Sequence, residues 1–133
     1  MKIALITGAS SGLGIFFLEE TIKVYTDLEE IWILAERGLD TMEELADSYK
    51  ETVKVRPLLM DLSKEQTFNE LDELLKNEEA EISLLVNNAE VETVKAFADT
   101  PIEKLELMVH VNVRGVMMMD RICIPYMNET DPE

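Results

Sequence analysis

The chain opens with a feature that few folds accommodate. A continuous apolar run, Ile3 to Ile6, passes through Thr7-Gly8-Ala9-Ser10-Ser11-Gly12-Leu13-Gly14 directly into a helix-forming segment. A run that is apolar at consecutive positions suits a parallel strand covered on both faces. The small residues that follow have separate tasks. Gly8 permits a tight exit from the strand, Gly12 lets backbone approach a pyrophosphate, and Gly14 lets the helix pack close to the strand. Free N–H groups at the helix start, with the positive end of its dipole, face such a ligand. Ser10 and Ser11 add hydroxyl donors, and Leu13 completes the loop. Glycine spacing alone is a weak signal; between a buried strand and an amphipathic helix it becomes specific.

The rest of the chain repeats the alternation. Gly12 to Tyr25 reads as a helix with Leu13, Phe16, Phe17, Ile22 and Val24 inward and Glu19, Glu20 and Lys23 outward. Ile31 to Ala35 is a second buried strand, and Val53 to Met60 a third. Pro57 places that third strand at an edge or a bulge, because proline cannot donate to a ladder. Asp40 with Glu43, and Ser63 with Gln66, read as capping boxes that open the second and third helices. Ile82 to Val86 is a fourth strand ending at Asn87-Asn88. Thr100-Pro101-Ile102-Glu103 combines an N-cap hydroxyl, a first-turn proline and a third-position glutamate, starting a helix that continues towards Met119. Strands alternating with helices imply right-handed crossovers and a parallel sheet covered on both faces. The expectation is one Rossmann-like α/β domain over 1–133, a three-layer αβα sandwich with strand order 3-2-1-4, half of a doubly wound sheet.

Composition narrows the function. There are 12 Lys and Arg against 28 Asp and Glu, a net charge of −16, and no basic run. Such a surface repels phosphate backbones, so no nucleic-acid partner is expected. Cys123 is the only cysteine and His110 the only histidine. That excludes an internal disulfide and offers no zinc cluster or histidine-based triad, and no metal is expected. Cys123, within Arg-Ile-Cys-Ile-Pro, reads as a small buried apolar group. No apolar run spans a bilayer, and the first strand starts at Lys2, so the expectation is a cytoplasmic chain without a signal peptide.

Thr7 to Gly14 resembles the glycine loop of the short-chain dehydrogenase/reductase family, and three later features agree with it in order. Asp61-Leu62 closes the third strand, where the family's Asp contacts the adenine. Asn87-Asn88-Ala89 closes the fourth and matches the start of the family's Asn-Asn-Ala-Gly motif. Asn112, in Val-Asn-Val-Arg-Gly, falls where the family has its catalytic-helix asparagine. The resemblance implies an NAD(P)-dependent oxidoreductase of carbonyl or alcohol substrates. It makes Gly8, Ser10, Ser11, Gly12, Leu13, Gly14, Asp61, Leu62, Asn88 and Ala89 cofactor-binding residues. Glu36 and Arg37 stand where the ribose is read, about 20 residues after the loop. A carboxylate accepts from ribose hydroxyls and repels a 2′-phosphate, whereas a guanidinium does the reverse. Register decides between them; Glu36 tips the expectation to NAD over NADP.

Two departures qualify the resemblance. Glu90 follows Asn-Asn-Ala where the family has glycine, and a negative charge there weakens dinucleotide binding. The family's serine and Tyr-x-x-x-Lys pair lie beyond the fourth strand, and Tyr25, Tyr49 and Tyr126 have Glu29, Val53 and Thr130 four places on. Asn112 alone has a support role, so the isolated chain is expected to be a catalytically incomplete nucleotide-binding fragment. The alternative is a partner-binding module that keeps the fold without the ligand. Ending the sheet at the fourth strand would leave an open edge. It would also leave an apolar helix face around Val113, Val116 and Met117 to Met119, suited to a homo-oligomer or to pairing with a missing half.

Overall fold

Lys2–Thr7 forms β1, and every residue after Lys2 in it is buried. In the computed structural model, which describes residues 1–127, β1 lies between β2 (Glu30–Ala35) and β4 (Glu81–Val86). β3 (Lys54–Leu59) pairs outside β2, all pairings are parallel, and the order is β3-β2-β1-β4. Pro57 therefore does lie on an edge strand, where a residue without an N–H is tolerated.

Alternate residues of the sheet feed two cores. Ile3, Leu5, Trp32 and Leu34 pack with Phe68, Leu71 and Leu75 of α3 (Glu65–Asn77) and with Met119 and Cys123. Ala4, Ile6, Ile31 and Ile33 pack on the other face with Leu18 of α1 (Gly12–Val24) and Met42 of α2 (Leu39–Tyr49). The three-layer arrangement follows directly. The consecutive apolar run of β1 is the signature of supplying both cores at once. Cys123 is fully buried, and burial, with Asp120 and Asp72 nearby, pushes its thiol up to about 12.

Several local expectations are corrected. In α1 the buried face is Gly14, Leu18 and Thr21, while Leu13, Phe16 and Val24 are exposed. Neither capping box forms. α2 starts from Gly38 in a left-handed conformation (φ 81°), which puts Asp40 inside its first turn. At α3 the N-cap is Lys64 without a side-chain capping bond, and Ser63 is engaged upstream: Asp61 Oδ1 accepts from the Ser63 N–H (2.9 Å) and hydroxyl (2.7 Å), while the Thr67 hydroxyl donates to the Asp61 carbonyl. The Thr100 hydroxyl turns back to the Ala96 carbonyl, and Pro101 holds the N-cap position of α4 (Ile102–Val109). A π-helical segment, His110–Gly115, joins α4 to α5 (Val116–Cys123). β4 carries a bulge, pairing Ile82 with Ile3 but Leu84 with Ala4. Its outer edge is met at one point by a parallel bridge from Met127 to Ile82. The acidic terminal run, 128–133, lies outside the described residues.

At the amino end of the sheet, a buried carboxylate is fully used. Glu30 accepts from the Trp32 indole (2.7 Å) and Lys54 (2.7 Å), and pairs with the Arg56 guanidinium (3.0 Å). Arg56 also stacks over Trp32 at 5.0 Å and reaches Glu78. Burial alone would push the Glu30 carboxyl up; the hydrogen bonds from Lys54 and Trp32 and the Arg56 charge outweigh it and hold it below its ordinary value. Glu30→Ala should cost about 3 kcal/mol, because it leaves the Trp32 indole N–H without its acceptor and Arg56 against the core with Glu78 as its remaining carboxylate. A carboxyl whose folded pKa is lowered stabilises fully above its unfolded value, near 4.3, and the contribution fades as pH falls through the folded one. Urea melts between pH 7 and pH 3 should therefore show a shallower acid loss in the variant; parallel curves would exclude this role.

Candidate functional site

The helix after β1 and the helices after β4 cover opposite faces of the sheet, so the two strands diverge where their chains leave it. Ligands of open α/β sheets bind at such a switch point, beyond the carboxyl ends of the strands. A cleft of about 570 Å³ lies there, a size ordinary for small-molecule sites.

The sequence-predicted residues converge on it from all four strands. Gly8, Ser10, Ser11, Gly12 and Leu13 line it from the loop after β1, Glu36 and Arg37 from the end of β2. Asp61 and Leu62 line it after β3, and Asn88, Ala89 and Glu90 after β4. Glu36, Arg37 and Glu90 are exposed, so both members of the ribose-reading pair reach the cleft. Two predicted residues do not line it. Gly14 is buried beneath the loop, where a β-carbon would run into the Gly8 carbonyl and come within 2.8 Å of the Ala9 Cα. Its task is packing.

Asn112 is the second. Its Oδ1 accepts from the Val91 N–H (2.8 Å) and its amide donates to the Val91 carbonyl (2.7 Å). Both ends of the side chain are thus committed to one backbone residue. Asn112 lies within the π-helical segment His110–Gly115, an irregularity often found at functional sites.

The cleft depends on a contact that the sequence reading missed. Thr7, almost fully buried, accepts through its hydroxyl from the N–H groups of Asn88 (3.0 Å) and Ala89 (2.9 Å). Asn88 in turn donates its side-chain amide to the Gly8 carbonyl (3.1 Å). Gly8 has φ 67°, and a β-carbon there would meet the Ala89 backbone at 2.8–2.9 Å. Only glycine fits. A single hydroxyl closing an otherwise apolar strand was the available signal.

Gly12 is different. It also has positive φ (53°), but nothing lies within 4 Å of where its β-carbon would be. The open space faces the start of α1, whose N-cap, Ser11, is extended and makes no side-chain capping bond. First-turn N–H groups are therefore left for an external acceptor. A phosphate fits this seat: small residues, free donors and a helix dipole converge, with Ser10 and Ser11 hydroxyls beside them. Among the described residues, no tyrosine or lysine lines the cleft, and no helix is long and apolar enough to cross a membrane.

Comparison with known proteins agrees with this geometry. Residues 2–132 match the family model described as short chain dehydrogenase. An NADP-dependent 3-hydroxy acid dehydrogenase of Schizosaccharomyces pombe is 37% identical over 127 residues, covering 93% of this chain and 48% of that protein. Hydroxysteroid dehydrogenase-like protein 2 of Pongo abelii is 30% identical over 132 residues, covering 94% of this chain and 31% of that one. Among solved structures, a short-chain dehydrogenase from Sphingobium yanoikuyae in complex with NADPH superposes with a TM-score of 0.80 at 26% identity. The match covers 94% of this chain and 48% of that one. The chain spans between about a third and a half of the length of these relatives.

The Asn112 clamp can be tested alone. Asn112→Ala should leave the sheet and helices folded while freeing Val91, raising its amide exchange about tenfold, the loss of roughly one good hydrogen bond. Unchanged exchange at Val91 would mean that the loop is held by something else.

Proposed function

The chain belongs to the short-chain dehydrogenase family, and on that footing we propose that its cleft binds NAD(P) as the cofactor half of an oxidoreductase of carbonyl or alcohol substrates. The observation that carries the reading is Gly12, a left-handed residue with open space before an uncapped helix start, at the sheet's switch point.

In this reading the pyrophosphate sits on the N–H groups opening α1, with Ser10 and Ser11 beside it. The adenosine extends towards β2 and β3, where Glu36 and Arg37 meet the ribose and Asp61 and Leu62 the adenine. Asp61 keeps an oxygen for this, since Ser63 occupies only Oδ1. The other riboside lies towards Asn88, Ala89 and Glu90. When bound, the dinucleotide supplies or accepts the hydride. The residues of this chain hold and orient it. The preference for NAD that Glu36 suggests gains no support from relatives described with NADP or NADPH. Arg37 is the available partner for a 2′-phosphate, and we keep both forms of the cofactor open to the cleft.

Proton transfer to a carbonyl oxygen needs an acid near the reacting end of the cofactor. With no tyrosine or lysine lining the cleft, we propose that residues 1–133 alone bind the cofactor without turnover. Val113 and Met117, both more than half exposed, remain the proposed surface for association with another chain, whereas Met119 is core.

Calorimetric titration of the purified chain tests the reading. NADP or NAD should bind, and Gly12→Ala should weaken binding about tenfold or more while costing only the 1–2 kcal/mol of a left-handed alanine. Arg37→Ala should lower affinity for NADP about tenfold and leave NAD nearly unchanged. No heat and no melting shift with either dinucleotide at millimolar concentration would dispose of the cofactor reading.

A further inference from the structure

We propose that Glu90 makes this cleft hold the oxidised dinucleotide more tightly than the reduced one. The inference rests on the reading above that the cleft takes NAD(P).

The position of Glu90 is fixed from both sides. The preceding N–H, of Ala89, is bonded to the Thr7 hydroxyl at 2.9 Å, and Ala89 lies against Gly8. The following residue, Val91, is held through its N–H and carbonyl by Asn112. The backbone of Glu90 therefore cannot swing away from the cleft it lines, and only the side chain is free to turn. It forms no ion pair among the described residues, so no neighbouring cation cancels its charge.

Four charged residues line the cleft: Glu36, Arg37, Asp61 and Glu90. The first three follow β2 and β3, on the far side of β1 from β4. With the adenosine ribose read after β2, the pyrophosphate on α1 places the nicotinamide on the β4 side. Glu90 is then the one charged lining residue at the end of the cofactor whose charge changes. The oxidised nicotinamide ring carries a positive charge and the reduced ring none, so the two forms differ by one unit there. A carboxylate beside the pyrophosphate opposes both forms equally. Beside the ring it attracts the positive oxidised form and gains nothing from the neutral reduced one. For an exposed carboxylate a few ångströms from the ring, one such charge is worth roughly threefold to tenfold in relative affinity, and salt reduces it. Tighter binding of the oxidised form makes the bound reduced form the stronger hydride donor, which biases the site towards reducing a carbonyl.

The test uses the purified chain with NADP⁺ and NADPH, or NAD⁺ and NADH if that pair binds, with affinities from calorimetry and from the fluorescence of the reduced form. Wild type should bind the oxidised form more tightly. Glu90→Gln should move the preference towards the reduced form, lowering the ratio of reduced to oxidised Kd at least threefold. Glu90→Asp should keep the wild-type ratio, and 0.5 M salt should move the wild-type ratio towards that of Glu90→Gln. A ratio unchanged in Glu90→Gln, with both forms still bound, overturns the proposal while leaving the cofactor reading intact. Failure of every protein to bind either form overturns the cofactor reading, and this inference with it.

Discussion

The hydroxyl of Thr7 holds together the two loops on which the cleft depends. The loop after β1 and the loop after β4 leave the sheet towards opposite faces, and a split between them would widen as the chains diverge. Thr7 closes it by accepting from two consecutive N–H groups, of Asn88 and Ala89, while Asn88 returns a bond to the Gly8 carbonyl. Buried N–H groups need partners, so this exchange satisfies the backbone and sets the spacing together. The absence of a β-carbon at Gly8 is what lets the loops come so near. Asn112 repeats the device one turn further out by binding Val91 at both its polar backbone atoms. The floor and one wall of the cleft are thus built from backbone, held in place by three side chains that are themselves spent on holding it.

What the sequence disclosed follows from which forces act locally. β1 announces itself because a strand feeding two cores must be apolar at every step, and Pro57 announces an edge because it lacks a donor. The loop glycines are legible through their spacing: Gly8 and Gly12 take left-handed backbone and Gly14 has no room for a β-carbon, whereas the left-handed Gly38 lies outside that pattern. Features that depend on distant partners were not legible. The inward face of α1 was misjudged because Leu13, which lines the cleft, and Phe16 are apolar yet exposed, while Thr21 is buried. Caps were misjudged because Asp61 outcompetes the expected Ser63 pattern by bonding Ser63 itself. The dual engagement of Asn112 could not be read from a spacing of 21 residues across a loop and a π-helical segment.

The sheet separates its two jobs along its length. At the amino end, Glu30, Trp32, Lys54 and Arg56 form a closed polar cluster against the core, with every strong group matched. At the carboxyl end the helix start has no side-chain cap, the space at Gly12 is open, and among the described residues Glu36, Arg37 and Glu90 form no ion pair. Local rules are kept where the task is stability and broken where a ligand would complete them. The two ends differ in legibility accordingly: unfilled small residues leave a visible pattern at the open end, whereas at the closed end Glu30 looks like any surface carboxylate before a strand.

The total charge of −16 bears on this division less than it first suggests. An anionic dinucleotide approaching so acidic a chain meets repulsion, but beyond about 8 Å salt screens most of it. What matters is which charges lie within that distance. Asp40, Glu43, Glu44 and Asp47 stand together on α2, outside the cleft. Inside it, Arg37 and the positive end of α1 would act on the adenosine and pyrophosphate of a dinucleotide bound as proposed, offset by Glu36 and Asp61. On the β4 side Glu90 has no such counterweight. The same excess of acid is therefore largely offset at one end of the cleft and left uncompensated at the other, because screening turns a global charge into a set of local ones.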